Sequence, residues 1–257
     1  MAFFNIEYYS NALIRTTSFK VLIPNDPRDG APFADTEDMK TLFILHGYTG
    51  NAFNWVPDEV TAKHKFAIVM PTGENSFYLD AEASGQKYQT MVGVELVDYM
   101  RRTFHLCRKP EDTFIAGFSM GGYGALHLGL AYPDTFGKIG ALSSALLPHG
   151  IAHMKPGTGN GTANYEYYHT WFGDLETVEE RDTNCEVQIK NLKAAGKKIP
   201  EMYICCGTED FLIRPNRQLH DFLLAEDVPH EYHEGPGIHD MKFWHEYIAK
   251  IADWMFE

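Results

Sequence analysis

The stretch IAGFSMGGYGAL, residues 115–126, decides the fold. An apolar run turns glycine-rich, and one serine, Ser119, stands between Gly117 and Gly121. The residues leading in, DTFIAGF (112–118), read as a buried strand, and those leading out, to about Pro133, as a helix. GFSMG fits G-x-S-x-G, the pattern of a serine on a sharp strand-to-helix turn. Bulky neighbours would clash in so tight a turn, and Gly117 and Gly121 remove them. Gly122, Gly124 and Ala125 let the helix lie close to the sheet. The helix N-terminus adds partial positive charge beside the serine, where an oxyanion would develop.

Further strands lie on both sides of this unit. KTLFILHG (40–47) and FAIVMPTG (66–73) are nearly continuous apolar runs, as expected for strands buried on both faces. GKIGALSSAL (137–146), EMYICCG (201–207) and the shorter PHEYHEG (229–235) follow it. FNIEYYS (4–10) and TSFKVLIP (17–24) alternate in polarity, which suggests antiparallel strands at a sheet edge. NDPRDGAPFADTED (25–38) reads as a turn-rich loop. Helical spacing appears in MVGVELVDYMRRTF (91–104) through Val92, Leu96, Val97, Met100 and Phe104. It appears again over about 215–225, and over about 240–256 through Trp244, Tyr247, Ile248, Ile251 and Met255. Strands alternating with amphipathic helices predict an α/β fold, a mostly parallel central sheet covered on both faces. Neither an internal repeat nor a linker interrupts residues 1–257, so a single domain is expected. Its one irregular region, LPHGIAHMKPGTGNGTANYEYYHTWFGD (147–174), follows a strand end. It reads as a cap or acyl-pocket insertion at the carboxyl edge of the sheet, where ligands bind.

The bulk numbers exclude several classes. With 257 residues and 44% hydrophobic content, the chain can bury a large core. Thirty-five acids against 22 bases give a net charge of −13, which repels nucleic acid and anionic membrane surfaces. The four cysteines, Cys107, Cys185, Cys205 and Cys206, form no CxxC pair, so neither a disulfide framework nor a zinc site is expected. The N-terminus lacks a basic start and an unbroken apolar run, and the longest apolar runs are strand length. A cytoplasmic setting is the expectation.

A serine hydroxyl needs a base to take its proton. The order for a G-x-S-x-G unit is Ser, then Asp or Glu, then His. His239, in EGPGIHDMKFW, has a strand before it, a Gly-Pro-Gly loop under it and a helix after it. His230 and His233 lie within a strand, His245 lies within the last helix, and His127 is two turns past Ser119. The acid should end the preceding strand, where YICCGTEDFLI offers Asp210, with Glu209 as the alternate. Asp240 is better placed to cap the last helix. The oxyanion donors expected are the backbone N–H of Met120 and, in LHGYTGN, that of Tyr48. His46 is then structural.

LFILHGYTGNAFNW, VMPTGENSFYLD, AGFSMGGYGAL, CGTEDFL and GIHDMKFW resemble the esterase D-like branch of the α/β-hydrolases. That branch includes tributyrin esterases, S-formylglutathione hydrolases, acetylxylan and feruloyl esterases, and mycolyltransferases. The likeness runs from about residue 5 to 255, and the compact HGYTGN loop looks most like small bacterial tributyrin-type or acetyl esterases. The resemblance implies an α/β-hydrolase fold, Ser119 as nucleophile, Asp210 and His239 as its partners, and Tyr48 as the second oxyanion donor. Residues 147–174 match no subgroup.

The expectation is a serine ester hydrolase of short acyl groups, acetyl above all, on sugars or other small alcohols. It needs no metal or organic cofactor. HEYHE (230–234) reads as solvated, and the two histidines of HGIAH (149–153) as lacking an acid partner. Tyr165, Tyr167, Tyr168, Trp171 and Phe172 leave three readings open: a pocket for an aromatic acyl group, core packing, or a contact in a homo-oligomer. A thioester hydrolase and an acyltransferase share the same machinery and are the alternatives.

Overall fold

A computed structural model describes residues 1–24 and 39–256. The predicted loop over 25–38 lies outside the described residues.

Eight strands form one sheet in the order β1-β2-β4-β3-β5-β6-β7-β8. In chain order, β1 (Ala2–Ser10) and β2 (Arg15–Ile23) form a hairpin, and β3 (Thr41–Leu45) follows. Helix α1 (Asp58–His64) leads to β4 (Ala67–Pro71), then α2 (Tyr88–Thr90), a π-helical segment (Met91–Leu96) and α3 (Val97–Phe104). Strand β5 (Thr113–Phe118) runs into α4 (Met120–Ala131), and β6 (Lys138–Leu142) follows. Short α5 (Pro148–Ile151), α6 (Tyr165–Phe172) and α7 (Cys185–Ala194) come before β7 (Glu201–Gly207). The chain ends with α8 (Ile213–Ala225), β8 (Glu231–Gly235) and α9 (Met241–Phe256). The β1 and β2 pairings are antiparallel and the others are parallel, as the sequence pattern predicts.

Alternation along each buried strand divides the core in two. Phe43, Leu45, Val69 and Ile115 point to one face, where Val97, Met100, Leu126, Ile189, Leu219 and Leu223 pack on them. Leu42, Ile44, Ile68, Phe114 and Phe118 point to the other, beneath Val60, Trp244, Ile248, Ile251 and Met255. The period of two in the strands thus meets helical stripes on each side.

The helix predicted over 91–104 starts earlier and is π-helical for its first part. Gly93 lies so close to Tyr132 that an added Cβ would sit 2.2 Å from its ring. Absence of a side chain there lets Tyr132 pack directly on the widened turn.

The elbow rests on two glycines with backbone neighbours. A Cβ at Gly117 would lie 2.2 Å from the Gly121 carbonyl oxygen, and one at Gly121 would lie 2.3 Å from the Leu45 oxygen. Neither neighbour can swing aside as a side-chain end could. Gly121→Ala should therefore cost about 3 kcal/mol or more in thermal or urea unfolding. Gly150→Ala, with nothing within 4 Å of the added carbon, should stay within about 0.5 kcal/mol of the parent. Equal stability of the two variants would contradict this packing.

Candidate functional site

Strand β5 delivers Ser119 at φ 57° and ψ −121°, a left-handed conformation costly for a residue with a side chain. Ser119 N–H donates to the Leu142 carbonyl at 2.9 Å, and its own carbonyl accepts from Ala145 N–H at 3.0 Å. Helix α4 starts at the next residue, so its first N–H groups, Met120 included, lack intrahelical acceptors.

Two loops beyond the sheet's carboxyl edge bring the partners. Thr208 N–H donates to the Gly235 carbonyl at 2.8 Å. Glu209 N–H donates to the Gly237 carbonyl at 3.0 Å, and the Glu209 carboxylate accepts from Gly237 N–H at 2.7 Å. Zipped in this way, the loops place Asp210 and His239 side by side. His239 Nδ1 lies 2.9 and 3.1 Å from the two Asp210 oxygens, and Nε2 lies 2.9 Å from Ser119 Oγ. Because Asp210 accepts at Nδ1, that nitrogen carries the proton and Nε2 is free to accept from the serine.

Asp210 is 2% exposed. Burial pushes its carboxyl pKa up, but His239, the Leu212 N–H at 2.8 Å and the Ser143 hydroxyl outweigh it and hold the group below its ordinary value. It therefore stays an anion beside the imidazole. Ser143 also accepts from the Trp244 indole N–H at 3.1 Å. Trp244 stands edge-on to the His239 ring, with centroids 4.9 Å apart, and stacks on Phe118 at 4.2 Å. Ser143 and Trp244 are supports that motif reading missed. The only sequence signal was the SS pair ending the β6 run and the tryptophan five residues after His239.

On the other side of Ser119, Gly50 N–H closes a turn on the Gly47 carbonyl at 3.0 Å, and Thr49 N–H donates to Asn75 Oδ1 at 2.7 Å. Tyr48 lies between them. His46 is structural, as expected. Its Nε2 accepts from Gly73 N–H at 2.9 Å and its Nδ1–H donates to the Gly47 carbonyl at 2.8 Å. Burial lowers its pKa, so it stays neutral. The aromatic ring of Tyr167, from α6, meets Tyr48 edge-on at 5.9 Å, and its hydroxyl donates to the Asn75 carbonyl. Residues 147–174 thus reach the loop beside the serine.

Other candidates are drawn elsewhere. Asp240 caps α9 through Phe243 N–H at 3.0 Å. His127 is buried and meets Gln89 at 2.8 Å. Two expectations need correction. HEYHE is half-buried and partnered: His230 meets His220 at 2.8 Å, His233 stacks on Tyr203 at 4.5 Å, and Glu234 takes Arg217 in a bidentate pair. His149 does have acid partners, Glu179 at 2.6 Å and Glu186 at 3.0 Å, and His153 meets Glu176 at 2.9 Å. The chain after α6 folds back over α5, a return that spacing along the sequence does not reveal. Among the described residues no cluster of three or more His, Cys, Asp or Glu is arranged to hold a metal, and no helix is long and apolar enough to cross a membrane.

Comparison with known proteins identifies the family. The profile of the family described as "Putative esterase" matches residues 10–255. An acetyl esterase of Caldicellulosiruptor saccharolyticus is 40% identical over 99% of this chain and 98% of its own. Among solved structures, a fluorophosphonate-binding serine hydrolase of Staphylococcus aureus superposes with a TM-score of 0.85 at 27% identity, covering 100% of this chain and 98% of that one. An S-formylglutathione hydrolase of the same organism gives 0.83 at 28%, covering 100% and 99%. The chain belongs to the esterase family of the α/β-hydrolases.

Proposed function

We propose that the protein is a serine carboxylic-ester hydrolase for short acyl groups, acetyl above all, working through an acyl-enzyme on Ser119. The observation that carries this reading is the unbroken hydrogen-bond chain from Ser119 Oγ through His239 to Asp210. In the scheme, His239 Nε2 takes the hydroxyl proton as Oγ bonds to the ester carbonyl carbon. The Tyr48 and Met120 N–H groups hold the resulting oxyanion. The bond to the alcohol oxygen then breaks, and that oxygen takes the proton from His239. Water next attacks the acyl carbon with His239 as base, and the Ser119 oxygen leaves and recovers its proton. Asp210, kept ionised, fixes the imidazole tautomer and stabilises the imidazolium. No metal or organic cofactor enters the scheme.

Acetyl as the acyl group is supported by the full-length acetyl esterase relative. Packing argues against an aromatic acyl pocket in 147–174. Tyr168 and Phe172 are fully buried, and Phe172 sits against Phe77 and Tyr123. Tyr167 is tied to Asn75. Tyr168 and Phe172 thus belong to the core, Tyr167 reaches the Tyr48 loop, and Trp171 and Tyr165 are half-buried. The four buried free cysteines fit a reducing, cytoplasmic setting.

On p-nitrophenyl esters, kcat/KM should be highest for acetate or propionate and fall beyond butyrate. A preference for octanoate, or faster turnover of S-formylglutathione than of acetate esters, would reject the acetyl assignment. Asp210→Asn should lower kcat by about ten-thousandfold, through the wrong histidine tautomer. A loss under tenfold would remove Asp210 from the scheme. The same variant has a pH signature. The Asp210 carboxyl is depressed in the folded state, so its stabilisation is complete above the ordinary carboxylate pKa and is lost as pH falls through the lower native value. The gap in melting temperature between parent and Asp210→Asn should therefore narrow on acidification below about pH 4. A gap that widens there would contradict the assigned direction.

A further inference from the structure

Two exposed large apolar side chains stand directly beside the acid and the base. Phe211, next to Asp210, is 74% exposed, and Ile238, next to His239, is 55% exposed. They emerge from the two loops that Glu209 and Gly237 zip together. The Phe211 ring lies against the His239 imidazole, with centroids 4.5 Å apart and planes at 49°. Exposing a phenylalanine this fully gains nothing for the fold, because its ring contributes apolar area to water.

Position gives these residues a use. If His239 Nε2 protonates the departing alcohol, that oxygen must come within hydrogen-bond reach of Nε2, about 3 Å. Whatever the alcohol carries must then lie along the imidazole. One ring against the imidazole is that of Trp244, which is 6% exposed and held by Ser143. Phe211, the second aromatic ring against the imidazole, is by contrast 74% exposed and open to a ligand.

We propose that Phe211 and Ile238 form an apolar lip that receives the alcohol half of the ester, selecting alcohols with a flat apolar face the size of a six-membered ring. The inference rests on the ester-hydrolase reading. Such a face, whether an aryl ring or the C–H side of a sugar ring, packs on an aromatic ring better than a short flexible chain does. Phe211 and Ile238 thus set leaving-group specificity, as distinct from the acyl specificity set on the far side of Ser119.

The test compares three acetate esters that share an acyl group: ethyl acetate, benzyl acetate and a mono-acetylated methyl xyloside. Phe211→Ala and Ile238→Ala should lower kcat/KM for the ring-bearing esters about tenfold more than for ethyl acetate, with the loss in KM. Phe211→Tyr should restore it. A loss confined to one of the two ring esters supports the lip and identifies the ring it receives. An equal loss on all three esters, carried by kcat, would make Phe211 a support for His239 only and overturn the proposal. No loss on any ester would overturn it as well. Failure of the unaltered protein to hydrolyse any of the three, ethyl acetate included, would instead reject the ester-hydrolase reading itself.

Discussion

The approach of α4 to the sheet at Gly117 and Gly121 is the constraint from which the site follows. Backbone lies on backbone there, with the Gly121 α-carbon facing the Leu45 and His46 carbonyls at distances that exclude any side chain. That contact forces the chain to turn within one residue, and the residue is Ser119. Its left-handed conformation is held by the Leu142 carbonyl and the Ala145 N–H. Strain of this kind, of order 1–3 kcal/mol, persists only where the surroundings over-determine it. Here β3, β5, β6 and α4 all contribute to holding one serine.

The same contact brings the loop after β3 beside the start of α4. Gly47 lies against Phe118 and Ser119, and His46 ties the loop to Gly73. One close packing therefore places the serine, the Met120 N–H and the Tyr48 loop together. Asp210 and His239 need a second device, the pairing of Glu209 with Gly237, which locks the loops after β7 and β8. Ser143 links the two devices. It follows β6 directly and reaches both Asp210 and Trp244.

Much of this was legible in the sequence because it is local. Strand alternation and the glycines of 117–124 are chain-adjacent signals, Ser119, Asp210 and His239 each follow the end of a strand so marked, and each of those strands is observed. The α9 stripe of Trp244, Tyr247, Ile248, Ile251 and Met255 is buried as its spacing requires. What escaped is long-range or weakly periodic. Helix α7 carries Cys185, Ile189 and Leu192 on one face behind the Asn184 cap, but half of its ten residues are polar. The acid partners of His149 come from a fold-back 30 and 37 residues away. In the sequence Glu209 stands as the alternate to Asp210. Only the loop pairing shows that it grips Gly237 while Asp210 turns inward. The aromatics of 165–172 divide between core and site wall because a helix sends Tyr168 and Phe172 one way and Tyr167 another.

The central claim is that Ser119, activated by His239, carries the acyl group. The most direct measurement is peptide mapping by mass spectrometry after acid quench of the protein in steady-state turnover of p-nitrophenyl acetate. The account predicts one acetyl group on the peptide containing Ser119 and none in Ser119→Ala. An acetyl group on another residue, or one that persists in Ser119→Ala at equal rate, would contradict it.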